Sequence, residues 1–390
     1  MRTTQAKGAL TELRVLQVGP LYNNHLRRWS ANAAALGCAV YAAGHVRPGR
    51  RPVDLAGVIE QVEIAPEALS ALGDARHVAW LRGVIRRFEP DLIHAHWLPK
   101  WGYLAALSRH RPLVVTAWGS DVYLATGTQR THADWALRNA DRVLARSPHM
   151  HREMVARGVP AERICQVDLG VDLERFRPAS AAEQGRVRSE LGLPHGPVVL
   201  SMRACTTLYN LDVVLEAFQI LRARLRDATL VLVRGDAQAS RPLRTALGEL
   251  DGTAGVRVVG HVAHTEMPKY VMAATVGVSI PSSDGSPSSV WEALAGGLPM
   301  VLSDLPQVRE KVARSGAVRL VQPRRDAVAA ALRNVLENPT LQDRMARAAR
   351  AWAVANIGER EQIARLGRVY AAIAKRRPPS RELASPPRCR

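Results

Sequence analysis

The sequence has few cysteines and no long apolar run, and each shortage excludes a class of protein. Its cysteines, Cys38, Cys165, Cys205 and Cys389, are too scattered to form the Cys-x-x-Cys pairs of a zinc site. Isolated cysteines in a chain of this length are typical of reduced thiols in a cytoplasm. The apolar stretch 13–21 is too short for an export signal, and no run approaches the ~20 apolar residues that span a membrane. We therefore expect a cytoplasmic protein.

Lysine is also scarce, although the chain is strongly basic. The formal net charge is +19, but only five of the 54 basic residues are lysines. The arginines are spread along the whole chain instead of clustering in one stripe, so a nucleic-acid partner has no support beyond charge. Two interpretations stay open: a compositional bias of the genome, or attraction to anionic lipid or phosphate-bearing substrates.

Length and patterning predict two α/β domains. The 390 residues suit two domains of ~150–200 residues each. Short apolar runs that predict strands alternate with amphipathic segments that predict helices. Strands are predicted at 13–18, 91–96, 112–117, 142–146, 197–202, 229–233, 256–259, 275–280 and 299–302, and helices at 25–36, 77–89, 211–225 and within 326–375. This alternation is typical of parallel, doubly wound sheets.

The segment 278–299, VSIPSSDGSPSSVWEALAGGLP, offers the most chemistry. A predicted strand leads through a loop of small residues into a helix that begins about Ser289, and the free N–H groups of such a helix start bind anions. Asp284 lies in the loop, and Glu292 follows eight positions later. Two roles for Glu292 stay open: a ligand-binding carboxylate, or the partner of Ser289 in a capping box.

At this segment the chain resembles the retaining GT-B glycosyltransferases of the large family 4 group. Their signature is an acidic residue, seven residues, and then Glu-Ala-Met-Ala-x-Gly-x-Pro; here Asp284 is followed by 292–299, EALAGGLP. Further matching pieces, in the same order within 13–375, are 90–96 (PDLIHAH), 118–121 (WGSD), 170–172 (GVD) and Arg203 with Tyr209 and Asn210. The resemblance implies an α/β fold of two doubly wound, Rossmann-like domains that face a central cleft.

The resemblance, together with a lapse in the pattern, divides the chain. We expect a first, acceptor-side domain over 1–178, a linker and hinge over 179–196, and a second, nucleotide-sugar-binding domain over 197–357. A last helix, 358–376, is expected to cross back to the first domain. The Pro- and Arg-rich tail 377–390 is expected to be disordered.

The resemblance also implies roles for the matching positions of the second domain. Glu292 would accept hydrogen bonds from the nucleotide ribose, and Asp284, shorter than the usual Glu, would contact the transferred sugar. Arg203 would neutralise the leaving diphosphate. Leu208 stands where many relatives have a lysine, so Arg234 is a candidate for a second positive charge. The expected donor-binding set is Gly19, Arg203, Asn210, Arg234, Asp284, Gly285, Ser286, Ser288, Ser289, Val290 and Glu292, and the expected catalytic set is Arg203, Asp284, Glu292 and Asp121.

Three positions of the first domain are expected on the acceptor side. His25 begins a His-x-Arg-Arg-Trp sequence shared with one subgroup of relatives, and it faces either the acceptor or a local hydrogen-bond partner at the helix end. Trp118 stands where many relatives have the histidine that usually contacts the donor sugar, so this contact is either missing or replaced by aromatic stacking. Asp121 keeps its position in the family motif.

The resemblance implies sugar transfer from a UDP- or GDP-linked donor with retention of configuration and without a protein nucleophile. The sequence has no Asp-x-Asp motif, and we interpret His94 and His96 as facing opposite sides of one strand, so neither a metal nor another cofactor is expected. The expected partners are a nucleotide sugar and a lipid-linked, glycan or small-molecule acceptor. The sequence departs from the family pattern at Asp284, Leu208 and Trp118. These differences leave open two other functions, a non-catalytic nucleotide-sugar-binding subunit or a nucleotide-sugar epimerase.

The predicted helix 77–89 bears on the location of the enzyme. It combines Arg82, Arg86 and Arg87 with Trp80, a combination that can bind anionic lipid at the inner face of a membrane. The other interpretation is that Trp80 belongs to the core and the arginines are simply solvated.

Overall fold

The chain forms two parallel β-sheets, each flanked by helices. The computed structural model describes residues 10–11, 13–46, 58–65, 73–204, 206–233, 255–260 and 262–374. The strands are β1 (Arg14–Pro20), β2 (Ala39–His45), β3 (Gln61–Ile64), β4 (Leu92–His96), β5 (Leu113–Thr116), β6 (Arg142–Ala145), β7 (Ile164–Gln166), β8 (Val198–Ser201), β9 (Thr229–Val233), β10 (Val256–Val259), β11 (Val276–Ser279), β12 (Met300–Ser303) and β13 (Val318–Val321). The helices are α1 (Asn24–Ala35), α2 (Asp74–Phe88), α3 (Tyr103–Ser108), α4 (Ser120–Tyr123), α5 (Gly127–Asn139), α6 (Pro148–Ala156), α7 (Ala181–Glu190), α8 (Leu211–Arg222), α9 (Met267–Ala273), α10 (Ser288–Ala295), α11 (Pro306–Val312), α12 (Arg325–Leu336), α13 (Pro339–Asn356) and α14 (Glu359–Ala374).

In each sheet the strand order reverses at one point, and both points face a common cleft. The first sheet has the order β3-β2-β1-β4-β5-β6-β7, and the second has β10-β9-β8-β11-β12-β13. The pairs in the described ranges are parallel. The order reverses between β1 and β4 and between β8 and β11, and ligands bind outside the carboxyl ends of strands at such points. The predicted fold of two doubly wound domains is confirmed.

Helices cover both faces of the central strands of the first sheet and bury them. On one face of the first sheet, Leu81 of α2 and Met150 of α6 pack in one cluster with the buried Trp101. On the other face, Trp29 of α1 packs with Tyr370 of α14, and both side chains are fully buried. Helix α14 therefore completes the core of the first domain.

The chain crosses between the domains at two neighbouring points. Leu169 packs in the core of the first domain, whereas Val171 and Phe176 pack in the core of the second. Val171 forms a parallel bridge with Gly358, directly before α14 returns to the first domain. The predicted boundary after residue 178 is therefore wrong by about eight positions, because the apolar residues after the crossing already belong to the second core.

The predicted linker 179–196 contains helix α7, which is part of the second domain. Gln184 Nε2 donates to the carbonyl of Met272 at 2.9 Å, and Arg188 Nε donates to the carbonyl of Ala273 at 2.8 Å. Both bonds reach the last turn of α9. None of the residues of α7 is fully buried, so its sequence lacks the regular spacing of apolar residues from which a helix is predicted. The predicted tail 377–390 lies outside the described residues.

Helix α2 packs closely on the first domain. Trp80 is partly buried against the core, which favours the core interpretation of this residue. Arg82 donates to the carbonyls of Leu107 at 3.1 Å and Ser108 at 3.3 Å, and Arg87 pairs with Glu63 at 2.7 Å. Among the helices of the described ranges, none is both long and apolar enough to cross a membrane.

Candidate active site between the two domains

A cavity of about 550 Å³ lies between the domains, at the carboxyl ends of both sheets. The first domain lines it with the start of α1, with Trp118 and with the residue that follows β6. The second domain lines it with the turn after β8 and with the loop between β11 and α10. Its charged lining includes Arg28 and Arg146 from the first domain and Arg203, Asp284 and Glu292 from the second. Charged groups from distant parts of the sequence thus converge on one cleft.

Arg203, Asp284 and Ser289 form one contact group on the wall of the second domain. Arg203 Nη2 contacts Asp284 Oδ2 at 2.5 Å, and Nη1 donates to Ser289 Oγ at 3.0 Å. The guanidinium lies 4.1 Å from the centre of the Tyr209 ring, a cation–π contact that orients it. Asp284 Oδ1 accepts the N–H of Gly285 at 2.8 Å. The structure therefore brings together residues that the sequence placed in one donor site.

Helix α10 begins at Ser288, with Pro287 as its N-cap and no side-chain capping bond. The capping box between Ser289 and Glu292 is therefore a wrong interpretation, because both side chains bind other partners. The predicted donor contact of Val290 is also wrong: its N–H donates to the Pro287 carbonyl at 3.0 Å and its side chain lies in the core. The amides of Ser288 and Ser289, in the first turn, remain the ones suited to bind an anion.

Glu292 is almost fully buried and is held from both domains. Its Oε1 accepts from Arg28 Nη1 of the first domain at 2.8 Å and contacts His264 Nε2 of the second at 2.9 Å. Arg28 Nη2 also donates to the carbonyl of Gly170, at the crossing between the domains, at 2.5 Å. Burial alone raises the pKa of Glu292, but His264 and the charge of Arg28 outweigh it and lower this pKa below its ordinary value. The carboxylate is therefore ionised at neutral pH.

Gly285 lies where the two domains touch through their backbones. It lines the cavity, and a Cβ at this position would lie 2.6 Å from the Cα of Gly119 in the first domain. Gly119 has φ of +128°, which side chains rarely adopt. Two glycines therefore allow the loop of the donor wall to approach the loop that carries Trp118.

A buried ionic cluster joins the domains beneath the same loop. Asp168 of the first domain accepts from Arg146 Nη2 at 2.8 Å and from Lys311 Nζ of the second domain at 2.9 Å. It also accepts the hydroxyl of Ser286, and Arg146 Nη2 donates to Ser288 Oγ at 3.0 Å. Although burial raises the pKa of Asp168, the charges of Arg146 and Lys311 hold it far below the ordinary range. The cluster thus fixes Ser286 and Ser288, two residues predicted for the donor site.

His25 and Trp118 lie next to each other on the wall of the first domain. Their ring centres are 5.1 Å apart, with 30° between the planes. Burial, followed by the charges of Arg146 and Arg28, lowers the pKa of His25 well below its ordinary value, so the imidazole is neutral. Arg146 Nη1 lies 3.5 Å from His25 Nδ1. Because a guanidinium only donates, Nδ1 is the acceptor and the ring proton is on Nε2.

Asp121 does not line the cavity, so the structure does not support its predicted contact with substrate. It is 1% exposed, and its carboxylate accepts from the N–H groups of Leu98 at 3.1 Å, Trp118 at 2.9 Å and Gly119 at 2.8 Å. Burial raises the pKa of Asp121, although these bonds oppose the shift. Asp121 therefore positions the backbone of Trp118 from behind.

Gly19 and Asn210 do not line the cavity, contrary to their predicted donor contacts. Gly19 is buried at the end of β1, where a Cβ would lie 3.2 Å from Leu26 Cδ1. Asn210 Nδ2 donates to the carbonyl of Ile280 at 2.9 Å and to Ser282 Oγ at 3.0 Å. The predicted donor residue Arg234 lies outside the described residues.

His94 and His96 lie on the same face of β4, with ring centres 4.3 Å apart. Their assignment to opposite faces is wrong because side chains two residues apart in a strand share a face. His94 contacts Tyr370 Oη at 2.7 Å and Thr116 Oγ1 at 2.6 Å, and His96 contacts Gln17 Oε1 at 2.6 Å. Burial lowers the pKa of His94 to about 3. In the part of the chain that the structure describes, no three His, Cys, Asp or Glu side chains form a group that could hold a metal ion.

Sequence reasoning missed several charged or polar residues of this region, among them Arg28, Arg146, Asp168 and His264. Two of them carried a signal that was available. Arg28 belongs to the His-x-Arg-Arg-Trp sequence already noted, and Arg146 directly follows β6, at the edge of the sheet where ligands bind. Asp168 and His264 follow no comparable pattern.

Comparison with known protein families identifies the family to which this chain belongs. The model of Glycosyltransferase Family 4 matches residues 23–175, and the model of Glycosyl transferases group 1 matches residues 184–352. A D-inositol 3-phosphate glycosyltransferase from Thermobispora bispora is 32% identical over 333 residues, which cover 76% of each chain. The chain belongs to the family 4, or group 1, glycosyltransferases. Its glycosyltransferase activity follows from this membership, and its donor and acceptor do not.

Two further proteins, one curated relative and one solved structure, are similar to this glycosyltransferase. TuaC, a Bacillus subtilis protein named for teichuronic acid biosynthesis, is 29% identical over 229 residues, and the match spans 56% of this chain but only 54% of TuaC. The structure of Anabaena HepE in complex with UDP-glucose superposes with a TM-score of 0.74 at 18% identity, covering 92% of this chain and 99% of HepE. The latter likeness shows the GT-B fold alone.

Proposed function

We propose that this glycosyltransferase moves a sugar from a UDP- or GDP-linked donor to an acceptor hydroxyl, with retention of configuration. The observation that supports the proposal is the cleft itself, where Arg203, the first turn of α10 and the ionised Glu292 line one cavity. The cavity thus combines an arginine and helix amides, which can bind a diphosphate, with a carboxylate, which can bind the two hydroxyls of a ribose. Because HepE was solved with UDP-glucose, UDP is the nucleotide to test first.

In the proposed complex, Glu292 binds the ribose. Its contacts with Arg28 and His264 both fall on Oε1. We therefore assign Oε2 to a ribose hydroxyl, since a carboxylate accepts on both oxygens. Arg28 and His264 then keep the Glu292 carboxylate charged and oriented, and they do not compete with the ribose for Oε2.

The transfer step needs the leaving diphosphate to be stabilised. The bond between the anomeric carbon and the diphosphate oxygen breaks, and a bond from that carbon to the acceptor oxygen forms on the same face of the sugar. The proton of the acceptor hydroxyl passes to the departing diphosphate. Arg203 and the amides of Ser288 and Ser289 stabilise the negative charge as it develops.

The wall of the first domain receives the sugar and the acceptor. Trp118 offers an aromatic face next to His25, and both residues line the cavity. A neutral His25 with its proton on Nε2 is a donor and not a base for the acceptor hydroxyl. The proposed role of His25 is therefore to orient a sugar or acceptor oxygen.

The proposal extends to the conditions of the reaction. Arginines and helix amides supply the positive charge, so we propose transfer without a metal ion. We also propose that the enzyme works on the cytoplasmic side of a membrane, with a lipid-linked, glycan or small-molecule acceptor and with weak contact between α2 and anionic lipid.

The test is release of a nucleoside diphosphate that depends on an acceptor. UDP- and GDP-sugars are incubated in EDTA with candidate acceptors, and nucleotide and product are measured together. We expect one nucleotide released per sugar transferred, and an α-linked product from an α-linked donor. Release without transfer, or conversion of the donor into its epimer, contradicts the proposal.

A further inference from the structure

We propose that Arg146 brings a second positive charge to the leaving diphosphate, from the first domain and opposite Arg203. This inference rests on the proposed function. It gives a role to a buried residue that belongs to none of the segments on which the family resemblance rests.

The contacts of adjacent serines carry the argument. Arg203 of the second domain donates to Ser289 Oγ at 3.0 Å, and Arg146 of the first domain donates to Ser288 Oγ at 3.0 Å. Both guanidiniums line the cavity. An anion bound at the first turn of α10 therefore lies between two arginines, one from each domain.

The balance of charge favours an anion at this place. Arg203 is paired with Asp284, so this pair brings no net charge to the wall. Around Asp168, by contrast, the described side chains supply two cations, Arg146 and Lys311, against one carboxylate. The side chains of Arg146 and Asp168 are 1% and 6% exposed. Surplus charge is costly in such a desolvated site, and a bound anion offsets that cost.

The arrangement also depends on closure of the cleft. Arg146 and Asp168 belong to the first domain, whereas Ser286, Ser288 and Lys311 belong to the second. Opening the cleft separates Arg146 from the serine loop. The second charge therefore reaches the diphosphate only when the domains are together, which couples the leaving-group step to closure.

The test separates binding of the diphosphate from binding of the nucleoside. Dissociation constants of UDP and uridine, and of GDP and guanosine, are measured by calorimetry for the whole chain and for Arg146→Gln. We expect the variant to lower affinity for the nucleoside diphosphate by about tenfold, or ~1.4 kcal/mol, and to leave nucleoside affinity unchanged. Adding Leu208→Lys, which places a cation in the same cavity, should restore part of the loss.

Arg152→Gln is the matched control. Arg152 also joins the domains, through Glu310 at 2.8 Å, but it lies outside the cavity lining and is 61% exposed. We expect this variant to bind both ligands normally. If Arg146→Gln does not fold, Arg146→Met replaces it, because Asp168 stays paired with Lys311 in either variant.

Two outcomes need to be told apart. If the unmodified chain binds neither UDP nor GDP, the proposed function fails. If it binds one of them and a folded Arg146 variant binds that nucleotide equally well, the proposed function stands and the role of Arg146 is refuted. An equal loss of diphosphate and nucleoside affinity also refutes it, because a charge directed at the diphosphate acts on one ligand only.

Discussion

The two walls of the cleft differ in how their residues are distributed along the sequence. On the wall of the second domain, Asp284, Ser288, Ser289 and Glu292 lie in one segment, 278–299, although the turn 202–209 after β8 and Val233, Val262, His264 and Met267 also line the cavity. The wall of the first domain draws on α1, on Trp118 and on Arg146, which are separated by long stretches of chain. A compact segment can be recognised as a motif, whereas a dispersed wall becomes visible only when the sheet brings its strand ends together.

The largest expected effect comes from removing α14, which completes the core of the first domain. Deletion of 358–390 removes Leu366, Tyr370 and Ile373, which are buried in the first domain. Loss of each such side chain costs ~2–5 kcal/mol, and the sum exhausts an ordinary stability of ~5–15 kcal/mol. We expect no cooperative thermal unfolding of this variant by circular dichroism. Deletion of 377–390 is the control, and equal stability of the two truncations would exclude a structural role for α14.

The next largest effect compares two residues of the donor wall. Arg203→Ala and Glu292→Ala should each lower kcat/KM by about 100-fold or more, ~2.7 kcal/mol of transition-state stabilisation. Their binding defects should differ: loss of Arg203 weakens UDP but not uridine, and loss of Glu292 weakens both. Glu292→Gln keeps the shape and hydrogen-bonding capacity but removes the charge. A fully active Glu292→Gln enzyme would show that the ribose–carboxylate assignment is wrong.

These residues show what the sequence could and could not predict. The strand–helix alternation and the signature at Asp284 and Glu292 were enough for the fold class and the donor wall. The helix α7 was missed because it has no buried face. Asp121 and Asn210 were assigned to ligand because a motif identifies positions without saying which way a side chain points. The place of Arg146 directly after β6 was an available signal, but its contacts with Asp168 and Ser288 could not be predicted because these partners are distant in sequence.

Arg28 connects the two walls, and its removal should change the response to acid. Its charge helps to lower the pKa of Glu292. A depressed folded-state pKa stabilises the protein above the unfolded value, and this contribution is lost as the pH falls through the folded value. In Arg28→Gln the pKa of Glu292 rises towards its unfolded value, so we expect a lower melting temperature at pH 7, a smaller further loss on acidification that is complete at a higher pH than in the unmodified chain, and a drop in UDP affinity at pH 7 by about tenfold, ~1.4 kcal/mol.

The measurement is the melting temperature between pH 3.5 and 7, with and without UDP. Arg86→Gln serves as control, because Arg86 is exposed on α2 and does not line the cavity that Glu292 lines. If the acid limb of the stability profile is the same in Arg28→Gln and in the unmodified protein, Arg28 does not set the ionisation of Glu292.

The smallest effect concerns the outer surface of the first domain. Of the three arginines predicted to bind lipid, Arg82 and Arg87 already bind carbonyls and Glu63 of the same chain. Arg86 is exposed, so it should dominate any attraction of α2 to anionic vesicles. We expect Arg86→Glu to lower the bound fraction in liposome co-sedimentation by about fivefold, ~1 kcal/mol, in low salt. Arg347→Glu, an exposed reversal on α13 of the second domain, is the matched control. If binding does not depend on lipid charge, or falls equally in both variants, α2 has no role at membranes. The net charge of the chain is then a matter of amino-acid composition.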